Sequence, residues 1–163
     1  MCAILDANVV TKVFGSRSST EGRQFFDWLD SRKGRLVIGG KVKRELYQHG
    51  DFERWARDES RAKRLVAYDR ESKKMRFASV VEYNDTEIEA EILKIKEQKL
   101  PFDSNDLHVI ALARVSGARL LYSEDKFLRK DFKKKHLVNS PRGKLYSKAN
   151  HKRLVNQKDL CRQ

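Results

Sequence analysis

Two acidic residues follow short apolar runs, at positions where a folded chain would bring their carboxylates to the same place. Asp6 comes directly after the run at residues 3–5, and Asp125 comes shortly after the run at residues 119–122. Such runs are typical of buried parallel strands, and active sites gather beyond the carboxyl ends of strands in parallel sheets. The spacing therefore predicts that these two carboxylates face one edge of a sheet.

Two further acids lie in helical patterns that could approach this edge. Glu45 lies about a turn and a half into the amphipathic stretch that begins near Lys41, and Asp106 is expected in the first turn of a helix at residues 104–115. Clustered carboxylates supply the hard oxygen ligands that suit Mg²⁺ or Mn²⁺. Because the chain carries a net charge of +13, an acidic cluster inside it needs a cation to neutralise it. The four acids together predict a divalent metal site.

Each acid also has an ordinary structural explanation. Asp6 and Asp125 could cap the helices that follow them, and Asp106 could be a favourable charge at a helix N-terminus. Glu45 could form an ion pair with Lys41, four residues before it. The combination of two strand-end aspartates with two helix-borne acids favours one functional site over four separate structural roles.

Apolar runs alternate with amphipathic stretches along the chain. Strands are predicted at residues 3–5, 35–38 and 119–122, and helices at residues 20–31, 41–49, 52–68, 86–98, 104–115 and 125–135. Residues 69–83 give no clear pattern, although residues 78–81 could form a strand, and a last strand is predicted at residues 137–138. This alternation predicts a three-layer α/β fold with a mainly parallel central sheet.

The positive charge is concentrated at the C-terminal end of the chain. Residues 126–163 contain 13 Lys or Arg against 2 Asp or Glu. Such an excess indicates a polyanionic partner, because basic side chains release counterions from nucleic acid on binding; a solubilising surface or a patch for an acidic protein is the alternative. The residues predicted to contact a phosphate backbone are Lys126, Arg129, Lys130, Lys133, Lys134 and Lys135.

Several classes of protein are not indicated by the sequence. No secretory leader follows Met1, and no apolar run approaches the roughly 20 residues that span a bilayer, so we expect a cytoplasmic protein without membrane association. Cys2 and Cys161 are expected to be free thiols. The four histidines show no metal-ligand spacing, and His108 is expected to have a structural role.

Four stretches resemble the PIN-domain family. ILDANV at residues 4–9 resembles the opening of these domains, and KREL at residues 43–46 fits their second acidic motif. NDLHVIALA at residues 105–113 resembles the third motif, and SGARLLYSEDK at residues 116–126 resembles the stretch into the fourth. The resemblance covers residues 1–146 as a PIN-like nuclease domain and leaves residues 147–163 as a basic C-terminal extension, packed on the domain or trailing from it.

The resemblance implies a Rossmann-like sheet, a carboxylate pocket, bound Mg²⁺ or Mn²⁺, and endoribonuclease activity on RNA. Many small bacterial members are toxins of toxin–antitoxin pairs, so a toxin or defence-associated nuclease, a protein antitoxin or regulator as partner, and a homodimer are expected. Carried over by position, the metal is held by Asp6, Asp106 and Asp125, and Glu45 orients the attacking water or completes a second metal site. Asn8 and Ser123 are polar supports beside this cluster.

The sequence departs from the family's pattern at two places and leaves other functions open. The fourth motif reads Ser-Glu-Asp-Lys where Thr-Asn-Asp is usual, so Glu124 is an additional acid, and Asp103 competes with Asp106 for the third motif. A DNA or structure-specific nuclease and a non-catalytic module that binds RNA or protein are the alternatives. A phosphoacceptor of the response-regulator type is disfavoured, since the expected acidic pair near the N-terminus is missing. Tyr122 and Tyr146 are expected in the core, with base stacking as the less favoured role.

Overall fold

The central feature of the molecule is a five-stranded sheet in which every described pairing is parallel. The computed structural model describes residues 2–31, 34–57 and 80–156. The strands are β1 (Cys2–Leu5), β2 (Arg35–Gly39), β3 (Val80–Tyr83), β4 (Leu120–Tyr122) and β5 (Lys144–Tyr146). Their order across the sheet is β3-β2-β1-β4-β5.

The strand order creates a switch point between β1 and β4. From β1 the chain builds β2 and β3 on one side of the sheet and then returns to build β4 and β5 on the other. Leu5 pairs with Tyr122 at the carboxyl ends of the two central strands. Crossover connections from these neighbours leave in opposite directions, so a crevice opens beyond the strand ends, and ligands of open α/β sheets bind in such crevices.

Helices cover both faces of the sheet. They are α1 (Val10–Phe14), α2 (Thr20–Asp30), α3 (Gly40–Tyr47), α4 (Gly50–Arg57), α5 (Asp85–Glu97), α6 (Leu107–Ser116) and α7 (Lys126–Phe132), with 3-10 turns at Ala7–Val9 and Ala149–Asn156. Helix α1 packs against α2 and α4, whereas α5 pairs with α6. The predicted three-layer α/β fold is confirmed.

The strands form where apolar residues run without interruption. Ala3, Ile4 and Leu5 have no exposed surface, and Leu120 and Leu121 are equally buried. In a strand that helices cover on both faces, every side chain is removed from water, so each position favours an apolar residue. Fully burying a Leu or Ile contributes about 1.5–3 kcal/mol, which makes β1 and β4 the most strongly specified part of the sheet.

Local signals at the helix ends agree with the predicted boundaries in several places. The Ser19 side chain accepts a hydrogen bond from the Gly22 N–H at 3.1 Å and so caps α2. Gly117 ends α6 with φ 73°, a conformation that costs a residue with a Cβ about 1–2 kcal/mol. Helix α4 ends at Arg57 within the described residues, and the rest of the helix predicted at residues 52–68 lies outside them.

Three of the predicted elements were wrong in detail. Leu137 and Val138 are buried in a turn and do not form a strand, and the fifth strand is Lys144–Tyr146 instead. Helix α6 begins at Leu107, so Asp106 is the residue before its first turn rather than a member of it. Helix α7 is also shorter than predicted, since it ends at Phe132.

The core and the chain ends bear on four further expectations. Tyr122 and Tyr146 are 2% and 1% exposed, with ring centroids 5.1 Å apart, so they are core residues and cannot stack on bases. Beyond β5, Ala149–Asn156 packs against α2 and buries Val155. Cys2 is disulfide-bonded, so the expectation of a free thiol is wrong for this residue. No helix in the described ranges is long and apolar enough to cross a membrane.

Candidate active site

Asp6 stands at the switch point of the sheet, one residue beyond β1. Its backbone N–H donates to the Tyr122 carbonyl at 3.0 Å, which continues the β1–β4 ladder by one step. Its side chain accepts a hydrogen bond from the Ser123 hydroxyl at 2.5 Å. Ser123 is 1% exposed, so this bond fixes the Asp6 carboxylate in the crevice between the strands. Ser123 therefore lies where a polar support was predicted.

Asp125 is linked to the same serine through its backbone. Its N–H donates to Ser123 Oγ at 3.0 Å, and its Oδ1 accepts from the Leu128 N–H at 2.6 Å. Asp125 is therefore the N-cap of α7, the ordinary structural role that the sequence left open. Nearby, Asn8 Oδ1 accepts from the Glu124 N–H at 3.2 Å, so Asn8 holds the loop that carries Asp125.

Asp6 lies within the electrostatic reach of two other predicted acids. Burial raises the pKa of Asp6 above its usual value of 3.8, the Ser123 hydrogen bond offsets part of this rise, and the charges of Asp106 and then Glu45 raise the pKa further. Asp125 is not among the charges that act on Asp6. The structure thus brings together Asp6, Asp106 and Glu45, and Asp125 borders this group as a capping residue.

The carboxylate of Asp106 is not used to cap the helix it precedes. Asp106 occupies the N-cap position of α6 but makes no side-chain hydrogen bond there. Its backbone N–H donates to Ser104 Oγ at 2.9 Å, so Ser104 holds the backbone of this turn. The expected favourable charge at a helix N-terminus is present, and the Asp106 oxygens remain available to a ligand.

Glu45 is held between two nitrogen donors. Its Oε2 lies 3.2 Å from His108 Nε2, and its Oε1 lies 3.3 Å from Lys41 Nζ, the predicted pair along α3. His108 is 7% exposed. The histidine was expected to be structural, and the structure shows that it orients an acid of the site, because α3 packs against α6.

The acids do not form a closed metal cage in this structure. Across residues 2–31, 34–57 and 80–156, no three His, Cys, Asp or Glu side chains are grouped so as to hold a metal ion. Glu45 is turned toward its two nitrogen partners and Asp125 toward Leu128. Asp6 and Asp106 form no ion pair with a basic side chain in the described part of the chain, and the Asp6 carboxylate accepts hydrogen bonds from the Ser123 hydroxyl and the Asn8 backbone N–H.

The two additional acids noted in the sequence are engaged elsewhere. Glu124 forms an ion pair with Lys12 of α1. Asp103 contacts Lys134 at 2.7 Å and Lys130 at 2.9 Å, and these lysines, Lys134 first, hold the pKa of Asp103 below its usual value. Asp103 is therefore a surface ion-pair residue and does not compete with Asp106 for the site.

One buried acid that fixes the site was missed by sequence reasoning. Asp131 has no exposed surface, and its Oδ2 accepts the N–H groups of Asp103 at 2.8 Å and Ser104 at 2.7 Å. Its Oδ1 lies 2.7 Å from Lys134 Nζ, at ion-pair distance although without hydrogen-bond geometry. Asp131 thereby ties α7 to the loop that leads into Asp106. The available signal was an acid beside Phe132 on the apolar side of α7.

The predicted basic contacts divide into two groups. Lys130 and Lys134 are paired with Asp103, so part of their charge is already compensated. Lys126, Lys133 and Lys135 are exposed, and no carboxylate in the described ranges forms an ion pair with them. Arg129 is half-buried. The uncompensated charge of this segment therefore lies at both ends of α7.

A neighbouring cavity of about 510 Å³ is lined by ion pairs at the carboxyl ends of β2 and β3. Lys43 contacts Glu82 at 2.7 Å, and Arg44 contacts Asp85 at 3.1 Å. Asp85 Oδ1 also accepts the Gly40 N–H at 2.8 Å, where Gly40 has φ 52°. These contacts fix the start of α3 and so the direction in which Glu45 projects.

The comparison with known families identifies the type of domain. A family model for the PIN domain matches residues 3–133. The chain belongs to the PIN-domain family. No curated protein and no solved structure matches it. The family confirms the predicted fold, and at the coarse level it makes this PIN domain a nuclease-type hydrolase of a family that generally uses divalent metals.

Proposed function

We propose that this PIN domain is a metal-dependent endoribonuclease that hydrolyses phosphodiester bonds in RNA. The observation that carries the proposal is the electrostatic coupling of Asp6, Asp106 and Glu45 at the β1–β4 switch point. In a fold whose ligands bind at that crevice, an acid whose ionisation is made more costly by the charges of two neighbouring acids is a site suited to a cation.

The donor chemistry of the site fits Mg²⁺ or Mn²⁺. Both cations prefer carboxylate oxygens, and Mg²⁺ keeps several waters, so one or two direct carboxylates are sufficient. Asp6 and Asp106 supply these oxygens, since neither is engaged by a cation in the described structure. When bound, the metal lowers the pKa of a coordinated water and stabilises charge on the phosphate oxygens.

The protein's own groups position the reaction. Ser123 holds the Asp6 carboxylate at the edge of the sheet, and Asp131 holds the loop that presents Asp106. His108 and Lys41 orient the Glu45 carboxylate, which then accepts a hydrogen bond from the attacking water. Asp125 fixes the start of α7 through its cap and contributes negative charge at the border of the site.

The choice of RNA rests on the charge of the protein and on its family resemblance. The net charge of +13 and the exposed lysines of α7 favour a polyanion, and phosphate contacts of this kind position a strand without reading its sequence. A toxin or defence role, a protein antitoxin and a homodimer stay predictions of the resemblance.

Cleavage of a mixed substrate panel tests this proposal. Purified protein is incubated with single-stranded RNA, transfer RNA, single-stranded DNA and duplex DNA, with Mg²⁺, with Mn²⁺ and with EDTA. The matched variants are Asp6→Asn and Asp27→Asn, the second of which alters an exposed aspartate of α2.

We expect RNA to be cut with either metal, and cleavage to be lost with EDTA and in Asp6→Asn but kept in Asp27→Asn. Faster cleavage of DNA than of RNA would replace the proposed substrate. Full activity of Asp6→Asn would remove the proposed site.

A further inference from the structure

Large apolar side chains are rarely exposed in this molecule, and two of the exceptions are aromatic residues beside the acidic site. Within the described ranges, the large hydrophobic residues that are exposed are Leu93, Phe102 and Phe127, at 58%, 41% and 60%. Phe127 comes two residues after Asp125, and Phe102 comes four residues before Asp106. Exposed apolar side chains that lie together on a surface, rather than singly, mark an interaction site, so the question is whether these two rings lie close to each other.

The two rings lie on segments that the structure ties together. Asp103 directly follows Phe102 in the sequence. Its backbone N–H donates to Asp131 of α7, and its side chain contacts Lys130 at 2.9 Å. Phe127 lies three residues before Lys130 and four before Asp131, the spacings at which residues are neighbours on a helix. Phe102 and Phe127 therefore flank one short stretch of surface, which we call the aromatic strip.

The charge around the aromatic strip is positive. Lys126, next to Phe127, and Lys133, at the other end of α7, are exposed, and no ion pair to a carboxylate of the described structure compensates either of them. An apolar protein partner would gain nothing from this charge, whereas a nucleic-acid strand presents phosphates to the lysines and flat bases to the rings. Stacking on aromatic side chains combined with a basic groove is how unpaired strands are bound.

We propose that Phe102 and Phe127 stack on bases of single-stranded nucleic acid and lead the strand to the acidic site. The inference rests on the proposed nuclease function and adds its substrate class, because bases paired within a duplex do not present their faces. The lysines contact the backbone, and the rings provide affinity that depends on bases and not on phosphates.

Binding of short oligonucleotides tests the proposal without requiring cleavage. Fluorescence anisotropy in EDTA measures the affinity of wild type, Phe102→Ala and Phe127→Ala for a single-stranded RNA, and for a strand of the same length in which abasic units replace the central nucleotides. Leu93→Ala is the matched control, since this side chain is equally exposed but lies on α5.

Each phenylalanine variant is expected to bind the intact RNA at least about fivefold more weakly than wild type, the lower range of stacking on one base. Neither should bind the abasic strand more weakly than wild type does, and Leu93→Ala should behave as wild type throughout. Phe127→Trp should retain the affinity, and Phe127→Leu should not.

Several results would overturn the proposal. Unchanged RNA affinity of both phenylalanine variants, or equal losses for intact and abasic strands, would show that no base stacks on the rings. Full affinity of Phe127→Leu would show that any apolar side chain suffices. A change of oligomeric mass in Phe127→Ala, measured by sedimentation, would assign the strip to contact between copies of this chain. Failure of the nuclease proposal differs from all of these, because it appears as an absence of cleavage with ring-dependent binding intact.

Discussion

Removal of the buried Asp131 carboxylate should both destabilise the protein and disorganise the site. The carboxylate accepts two backbone N–H groups, at 2.8 and 2.7 Å, and faces Lys134 at 2.7 Å. Asp131→Ala leaves these donors without their acceptor and one lysine without a buried partner. Hydrogen bonds to charged groups contribute about 1.5–3 kcal/mol each, whereas Lys134 keeps its ion pair with Asp103, so most of the cost comes from the two N–H groups.

A loss of about 4 kcal/mol would be a large part of the stability of a domain, which is typically about 5–15 kcal/mol. With a urea dependence of about 2 kcal/mol per molar, the unfolding midpoint should fall by about 2 M. Asp131→Asn keeps an oxygen for the two N–H groups and loses the charge, so we expect a smaller loss of about 1–2 kcal/mol. Urea unfolding followed by circular dichroism measures both values.

Asp103→Asn is the control for this experiment, since it removes a carboxylate that contacts the same lysine from the protein surface. The folded Asp131→Asn protein should also cleave RNA more slowly than Asp103→Asn, because Asp131 positions the loop that carries Asp106. If Asp131→Ala lowers the urea midpoint no more than Asp103→Asn does, the carboxylate does not hold the loop, and our account of how Asp106 is positioned is wrong.

Three other predictions concern the acids and the start of α3. Asp6→Asn should stabilise the metal-free protein at neutral pH, because the raised pKa of Asp6 makes ionisation costly in the folded state. This gain in stability should shrink as the pH falls toward 3.8, the pKa of an aspartate in the unfolded chain. Thermal melts that show the same gain at every pH would contradict the prediction. His108→Leu should slow cleavage about 10–100-fold by releasing Glu45, and His108→Gln, which keeps a hydrogen-bond donor, should slow it less. Equal cleavage rates of the two variants would count against the role of His108 in orienting Glu45. Gly40→Ala should cost about 1–2 kcal/mol in urea unfolding because φ is 52°, and an unchanged midpoint would refute this strain.

The sheet could be predicted where burial alone specifies a strand. Strands β1, β2 and β4 are continuous apolar runs, and each was predicted to within about one residue. Strand β5 was missed because it contains three residues and begins with the exposed Lys144. Leu137 and Val138 resembled a strand because they are apolar, but they are buried in a turn. Short apolar pairs do not distinguish these two structures.

The site was predictable as far as strand ends and helical periodicity place its residues. Asp6, Glu45 and Asp106 could be assigned to one edge from these patterns. The partners of these acids could not be predicted from the sequence. The contact between His108 and Glu45 joins residues 63 positions apart, and a pairing at that separation depends on how α3 and α6 pack. For Asp125, the capping and catalytic roles require the same residue at the same position, so only the geometry of its Oδ1 distinguishes them.

Binding of Mn²⁺ to the metal-free protein tests most directly whether Asp6 and Asp106 form a cation site. Free Mn²⁺ gives an electron paramagnetic resonance signal that decreases when the ion is bound, so a titration yields the affinity without any substrate. Wild type and Asp27→Asn should remove Mn²⁺ from solution with equal affinity, whereas Asp6→Asn and Asp106→Asn should each bind it at least about tenfold more weakly, a loss of about 1.4 kcal/mol. Equal affinity in all four proteins would contradict the account, since the acids at the switch point would then not be the residues that hold the metal.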